Sequence, residues 1–419
     1  MRERIRLQRQ KAGTSKSTNP SLISPTSPSL ANLTPGFGLP AERILAKKAD
    51  WEASNPQALP SDGETLSEEA SLQQPLSHDI SRISLRPQAR LTSNLEVQRF
   101  GDKDAELLTA AQVSSAKAYY ASHSKQYTPE IITQIQQTVG STPTGVIDDE
   151  TIQAVAKWQQ EHPPLKIDGK AGPRTLPAAF PTGLATTDAT DEYVGEAKQV
   201  QADWAKLKTT NERADALLTA VNKQLTSAGV PACNKAIKDL GADAGQFDFV
   251  TWTLDLGKEA FSQASLTDEA AADIADTVYH ESRHAEQWYM MAQILAGKGK
   301  SAKAIAKEMD IPPNIASSAV NNPLKSGSME ALIAEGWYES VYGAKADDRD
   351  RVLTDLDVKQ KALDKAKEQF DKSPTDANQA KLDKAQKQYD IAYEKYTDLP
   401  EEADAWRVGG AVTSAYLKK

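Results

Sequence analysis

The stretch Thr267-Asp-Glu-Ala-Ala-Ala-Asp-Ile-Ala-Asp-Thr-Val-Tyr-His280-Glu281-Ser-Arg283-His284-Ala-Glu-Gln287-Trp288 decides how this chain is read. Thr267 ahead of Asp268 and Glu269 predicts a helix start, because a threonine side chain satisfies orphan amides and acidic groups suit the positive end of the helix dipole. Ile274, Val278, Glu281, Ala285, Trp288, Ala292 and Leu295 recur by threes and fours, so the helix is expected to run to about Leu295 with one inward stripe. Glu281 falls on that stripe, where an unpaired carboxylate is costly. His280 and His284, four apart on its flank, project their imidazoles from one side of the helix and can share an ion.

In this His-Glu-x-x-His arrangement two imidazoles hold Zn2+, and the glutamate between them moves the proton of the activated water. The bland alternative is a surface helix whose histidines and glutamate pair with Arg283. It leaves Glu281 on the apolar stripe unexplained, and two of the chain's five histidines fall here. Phe247-Asp-Phe-Val-Thr-Trp-Thr-Leu254 alternates large apolar residues ahead of the helix and predicts a strand, placed to align an extended peptide by main-chain pairing. A catalytic zinc needs a third protein ligand. His78, His123 and His162 lie far away in the sequence, which turns attention to carboxylates in two helical segments, Glu330 to Glu339 and Leu399 to Trp406. Pro400 opens the second, with Glu401, Glu402 and Asp404 in its first turns, a cluster the helix dipole alone also accommodates. Spacing leaves Glu335 and Glu402 both open.

Composition narrows the function classes. The 419 residues suffice for two to three domains. With 49 basic against 58 acidic residues and a net charge of −9, nucleic acid is not an expected partner. The single cysteine, Cys233, excludes an intrachain disulfide and a sulfur-rich zinc site. The basic N-terminus lacks the apolar run of a secretory leader, and no run of about 18 apolar residues predicts a membrane span.

Working outward, residues 1–75 are rich in Ser, Thr and Pro without period and are expected to be disordered, with 76–126 as a linker. From Pro129 to Leu176 run Gln136, Thr144-Gly145-x-x-Asp148, Thr151-x-x-Ala-Val-x-x-x-Gln159 and Asp168-Gly169-x-x-Gly172-Pro-x-Thr-Leu176. Gly145, Gly169 and Gly172 suit tight turns. This series resembles the three-helix peptidoglycan-binding module, here spanning 127–182, and implies either wall binding or a structural role. Val194, Ala197, Val200, Trp204 and Leu217, Val221, Leu225 predict helices over 190–240. Leu363, Ala366, Phe370 and Leu382, Ala385, Tyr389, Tyr393, Tyr396, broken at Ser373-Pro-Thr-Asp376, predict a helical hairpin over 351–396.

His280-Glu281-x-x-His284-x-x-Gln287 resembles the metallopeptidase-like core associated with extracellular contractile injection systems. His78-Asp-Ile-Ser-Arg-Ile-Ser-Leu-Arg-Pro-Gln88 is similar to a segment preceding that core. Pro400-x-Glu402-x-Asp404-Ala405 looks like a downstream segment of related gluzincin-like proteins. The resemblance implies Glu402 as third ligand, with Glu335 the alternative, Asp404 orienting a histidine, and Glu281 as general base. The expected whole is a mainly α, multidomain chain with the peptidoglycan-binding-like module and an α+β zincin-like domain over 190–419. Its expected activity is that of a zinc peptidase or amidohydrolase acting on peptidoglycan peptides or target proteins. It would be made in a bacterial cytoplasm and exported or injected by a contractile particle. A non-enzymatic adaptor that docks to cell wall is the alternative.

Overall fold

A computed structural model describes residues 107–240 and 244–418. The expectations for 1–75 and for the segment at His78 lie outside the described residues. Among the described residues the protein is mainly helical with one small sheet. The elements in order are α1 (Ala110–Ser122), α2 (Pro129–Val139), α3 (Asp149–Glu161), α4 (Leu176–Ala179), a 3-10 turn (Gly183–Ala185), α5 (Thr187–Asp203) and α6 (Thr210–Ser227). Three strands follow: β1 (Asn234–Lys238), β2 (Gly245–Asp248) and β3 (Thr253–Gly257). The rest is helical: α7 (Lys258–Ser262), α8 (Asp268–Gly297), α9 (Ala302–Met309), α10 (Pro313–Asn321), α11 (Met329–Val341), α12 (Ala346–Lys372), α13 (Asp376–Thr397) and α14 (Pro400–Leu417).

The N-terminal helices are stitched by the signature residues of their sequence. Gln136 is fully buried; its Nε2 donates to Val146 O at 2.9 Å and Thr151 Oγ1 at 2.9 Å, while Gly145 N donates to its Oε1 at 2.9 Å. Gln159 repeats the device, accepting from Gly169 N at 3.0 Å and donating to Thr175 Oγ1 at 3.0 Å. Gly169 has φ +70°, and a Cβ there would stand 2.7 Å from Ile152 Cγ2, so the residue is fixed twice over, by backbone and by packing. Gly172, by contrast, is not in the left-handed region. A helix, not a linker, occupies Ala110–Ser122 and packs into this unit, with Tyr120 Oη donating to Gly169 O and accepting from Ala171 N. Its Ala- and Ser-rich face carries too weak a period to announce it.

The Phe247–Leu254 segment is two strands and a turn, not one strand. β3 lies in the middle of the sheet, parallel to β1 and antiparallel to β2, with Leu254 opposite both Lys235 and Phe247. Phe249 and Trp252 sit on the turn itself, and Asp248 caps it by accepting from Val250 N at 2.9 Å. Both aromatics are buried, so the alternation follows the core beneath the turn rather than a strand's pleat. At the end of the 190–240 region, β1 replaces helix.

The helix α8 starts as expected, Thr267 Oγ1 accepting from Ala270 N at 3.2 Å. It is not half-exposed: from Val278 to Leu295 every residue but Glu281 and Gln293 is buried. One apolar core runs from Leu108 through α8 to Tyr416, so the N-terminal helices and the sheet-bearing part share it. Against α8 lies α14, and their close approach depends on Gly409, where a Cβ would stand 2.3 Å from Asp276 Oδ1. Thr413 Oγ1 holds Asp276 in place through Oδ2 at 2.7 Å. We therefore expect Gly409→Ala to destabilise the fold by about 1–3 kcal/mol through overpacking, despite alanine's better helix propensity. Urea unfolding checks this; an unchanged midpoint would mean Asp276 turns aside freely.

The hairpin of α12 and α13 forms as read, with Thr375 capping α13, and has a small core of its own: Leu356, Leu363, Tyr389, Ala392 and Tyr393. Its base reaches α14 through Tyr393, whose ring lies 6.3 Å from that of Trp406, and through Arg349, which pairs with Glu401 at 2.5 Å.

Candidate metal centre

His280 and His284 on α8 meet Glu402 on the first turn of α14, and their ligand atoms all lie within 4.8 Å of one another. All three are buried, at 6%, 8% and 5% exposure. A tetrahedral ion with ligand bonds of about 2.0–2.2 Å spaces its ligand atoms by about 3.4 Å, and the His284 Nε2 to Glu402 Oε2 separation is 3.5 Å. Two neutral-capable imidazoles and one carboxylate, with ligand atoms all within 4.8 Å of one another, can hold a metal ion.

Electrostatics agree with the geometry. Burial pushes the Glu402 carboxyl up, but the His284 and His280 imidazoles outweigh it and bring the pKa down to about 2. His284 is the complement: burial lowers it, and the Glu402 carboxylate more than reverses that, raising it to about 9. Without a cation between them, the two groups therefore form an ion pair across neutral pH.

The orientation of His284 is set from behind. Gln287 is fully buried and donates through Nε2 to Glu401 O at 2.8 Å and Asp404 Oδ2 at 3.1 Å. Its Oε1 is thus the acceptor that faces His284 Nδ1 at 2.9 Å, so Nδ1 carries a proton and Nε2 is the atom turned to Glu402. A metal-binding histidine anchored through its other nitrogen is the usual arrangement of such sites. Asp404, expected to orient a histidine, is joined to His284 through Gln287. Its own charge is taken by Arg283 Nε at 2.8 Å and Arg407 Nη2 at 2.7 Å.

Glu281 is half-buried beside the group, and its charge is felt by both His284 and Tyr396. It lies under the start of β2: a Cβ on Gly245 would stand 3.4 Å from Glu281 Cγ. Glu335 is not brought to the group. It sits on α11, paired with Lys298 Nζ at 2.9 Å and accepting from Gln126 Nε2 at 3.2 Å. Arg283 does not pair with Glu281 or the histidines either; it is buried against Glu286 and Asp404.

Tyr396 packs against the hairpin core and also hydrogen-bonds Glu402, and burial together with that carboxylate raises its phenol pKa well above the ordinary value. Trp406 covers the other side, its ring 4.6 Å from that of His280. Tyr396 reaches the centre from α13 and carries no spacing signal toward it, whereas Trp406 stands four positions after Glu402 on α14, the same helical spacing that joins the two histidines. Among the described residues, no helix is long and apolar enough to cross a membrane. In comparisons with known proteins, no family model, curated protein or solved structure matches this chain.

Proposed function

We propose that this chain is a zinc-dependent hydrolase of amide bonds, with His280, His284 and Glu402 as metal ligands and Glu281 as the proton-carrying carboxylate. The observation that carries the reading is the buried group of two histidines and one carboxylate, with a second carboxylate, Glu281, beside it and outside the group. When bound, zinc acts as a Lewis acid and brings the pKa of water to about 7. Glu281, half-shielded from solvent, takes the proton of the attacking water and returns it to the leaving nitrogen. Tyr396, protonated at neutral pH, donates its hydrogen bond to Glu402 and so holds that ligand carboxylate in place. The substrate's backbone aligns on β2, which pairs only with β3 among the described residues and passes over Glu281; interior β3 has no free edge for it.

The substrate class we propose is a peptide, either a peptidoglycan stem peptide or a polypeptide of a target cell. Its delivery by a contractile injection particle is supported by the resemblances at His78–Gln88 and His280–Gln287. Gln136 and Gln159 are spent inside the N-terminal helices, which accounts for the signature on structural grounds and leaves wall binding a separate question for sacculus sedimentation. The ligands' burial favours a second reading, a metal that only braces an adaptor protein; but structural zinc sites close with a fourth protein ligand, and this group has three. Hydrolysis of casein and of purified sacculi by the zinc-loaded protein tests the proposal. Folded, zinc-loaded protein without activity on either would favour the adaptor.

Metal uptake itself has a pH signature. His284 must lose its second proton to bind, and in the metal-free protein it keeps that proton up to about pH 9, whereas Glu402, at about 2, is already ionised. Apparent zinc affinity is therefore expected to rise about tenfold per pH unit between pH 6.5 and 9 and then to level. Competition with a chelator of known affinity measures this; a flat profile would contradict the His284–Glu402 pairing.

A further inference from the structure

The hydrogen bonds behind His284 do not stop at Asp404. Arg283, buried on α8, donates from Nη1 to Thr182 O at 3.1 Å and to Glu286 Oε2 at 2.6 Å. Glu286 in turn accepts from Leu184 N at 3.1 Å. Arg407, the other partner of Asp404, donates to Pro177 O at 3.1 Å. The backbone of residues 177–184, which closes the N-terminal helical module, is thus joined to the imidazole of His284 by an unbroken series of contacts: Leu184 N, Glu286, Arg283, Asp404, Gln287, His284 Nδ1. Arg283, Glu286, Gln287 and Asp404 are all at least nine-tenths buried, so water does not substitute for any link.

Gly183 is the point at which this junction is tightest. Its φ is +52°, and a Cβ there would stand 1.8 Å from Glu286 Oε1 and 2.6 Å from Glu286 Cδ. Any side chain at 183 must displace either the junction or the Glu286 carboxylate, and Glu286 cannot retreat into solvent.

Resting on the reading of His284 as a metal ligand, we infer that the segment 177–184 of the module positions that ligand, with Gly183, Glu286, Arg283 and Arg407 as positioning residues. The module is then a fixed part of the metal centre and not a detachable anchor carried beside it. A buried polar network transmits a shift because its buried members cannot exchange a lost partner for water. Partners behind a metal-bound histidine typically matter by 10- to 100-fold in affinity.

The test is Gly183→Ala in the full chain, with Gly140→Ala as control. Gly140 is also left-handed, at φ +76°, but a Cβ there meets nothing within 4 Å, so it carries the backbone strain without the contact. Two readouts are taken: zinc affinity by chelator competition, and, in the metal-free protein, the Nδ1–H signal of His284 by NMR, assigned with His284→Gln. In the wild type the bond to buried Gln287 slows that proton's exchange with water. Gly183→Ala is expected to weaken zinc binding by about 10- to 100-fold and to broaden or abolish the proton signal, while Gly140→Ala leaves both unchanged. Should Gly183→Ala not fold, Arg407→Gln removes the Pro177 tether from a side chain that is one-third exposed, and is expected to move both readouts in the same direction by less. Wild-type zinc affinity together with an intact proton signal in the folded variant overturns the inference. If the wild type takes up no zinc, the metal reading fails separately, and the proton signal still decides whether the junction positions His284.

Discussion

Glu281→Gln should retain zinc and the fold while losing hydrolysis by about 100- to 10,000-fold, the usual range for removal of a general acid–base group. The geometry separates these properties. Glu281 is outside the group formed by His280, His284 and Glu402, and glutamine fills the same space under Gly245 without a clash. What the amide cannot do is accept a proton. The measurement is zinc content beside initial rates on casein and on purified sacculi, wild type against variant at one pH. Activity close to wild type would remove Glu281 from the chemistry. Loss of zinc along with activity would place Glu281 in the ligand set instead, and the assignment of Glu402 would have to be reopened.

The two halves of the centre differ in how far the sequence discloses them. His280, Glu281 and His284 are legible because their relation is local: a helix with a 3.6-residue period brings positions four apart together wherever it folds. The same holds for α8's start at Thr267 and the break between α12 and α13, both matters of capping chemistry within a few residues. Glu402 is 118 positions beyond His284, with the whole hairpin between them; its arrival depends on α14 lying along α8, which no periodicity encodes. The resemblance at Pro400–Ala405 supplied it where spacing left Glu335 equally open.

The readings that needed correction share a cause. Phe247 to Leu254 looked like one strand because buried aromatics alternate there, but burial under a turn produces the same pattern as burial on one face of a sheet. That Asp404 stands behind His284 through Gln287 is not legible either, because a sequence does not show which side chain lies between them. Glu281 is less buried, and α8 more buried, than the stripe implied, since Arg283, Glu286 and Gln287 on its opposite face are covered by α14 and the 177–184 segment. A helix whose polar face is buried must have its charges matched by something, and here the match comes from distant parts of the chain.

That buried charge network should make Arg283 costly to remove. Arg283→Ala is expected to destabilise the protein by about 3–5 kcal/mol at neutral pH, the cost of stranding a buried partner. Arg283 is 1% exposed and serves Asp404 and Glu286 at once, with Trp337's ring beneath it at 5.4 Å. Asp404 would keep Arg407, but Glu286 would keep only the Leu184 amide, and burial already raises its pKa against Arg283's pull. Glu286 therefore takes up a proton more readily once Arg283 is gone, so the loss should shrink as pH falls toward the carboxylate range. Arg283→Met separates charge from volume: it refills most of the space but leaves the carboxylates unmatched, and should remain strongly destabilising. Lys372→Ala, which breaks an exposed pair with Glu368, should leave the unfolding midpoint where it is. Guanidinium unfolding of the metal-free proteins at two pH values measures all three. A loss under about 1 kcal/mol for Arg283→Ala would mean that water or rearrangement reaches Glu286 and Asp404, and the tight junction between α8, α14 and residues 177–184 would then be looser than its contacts imply.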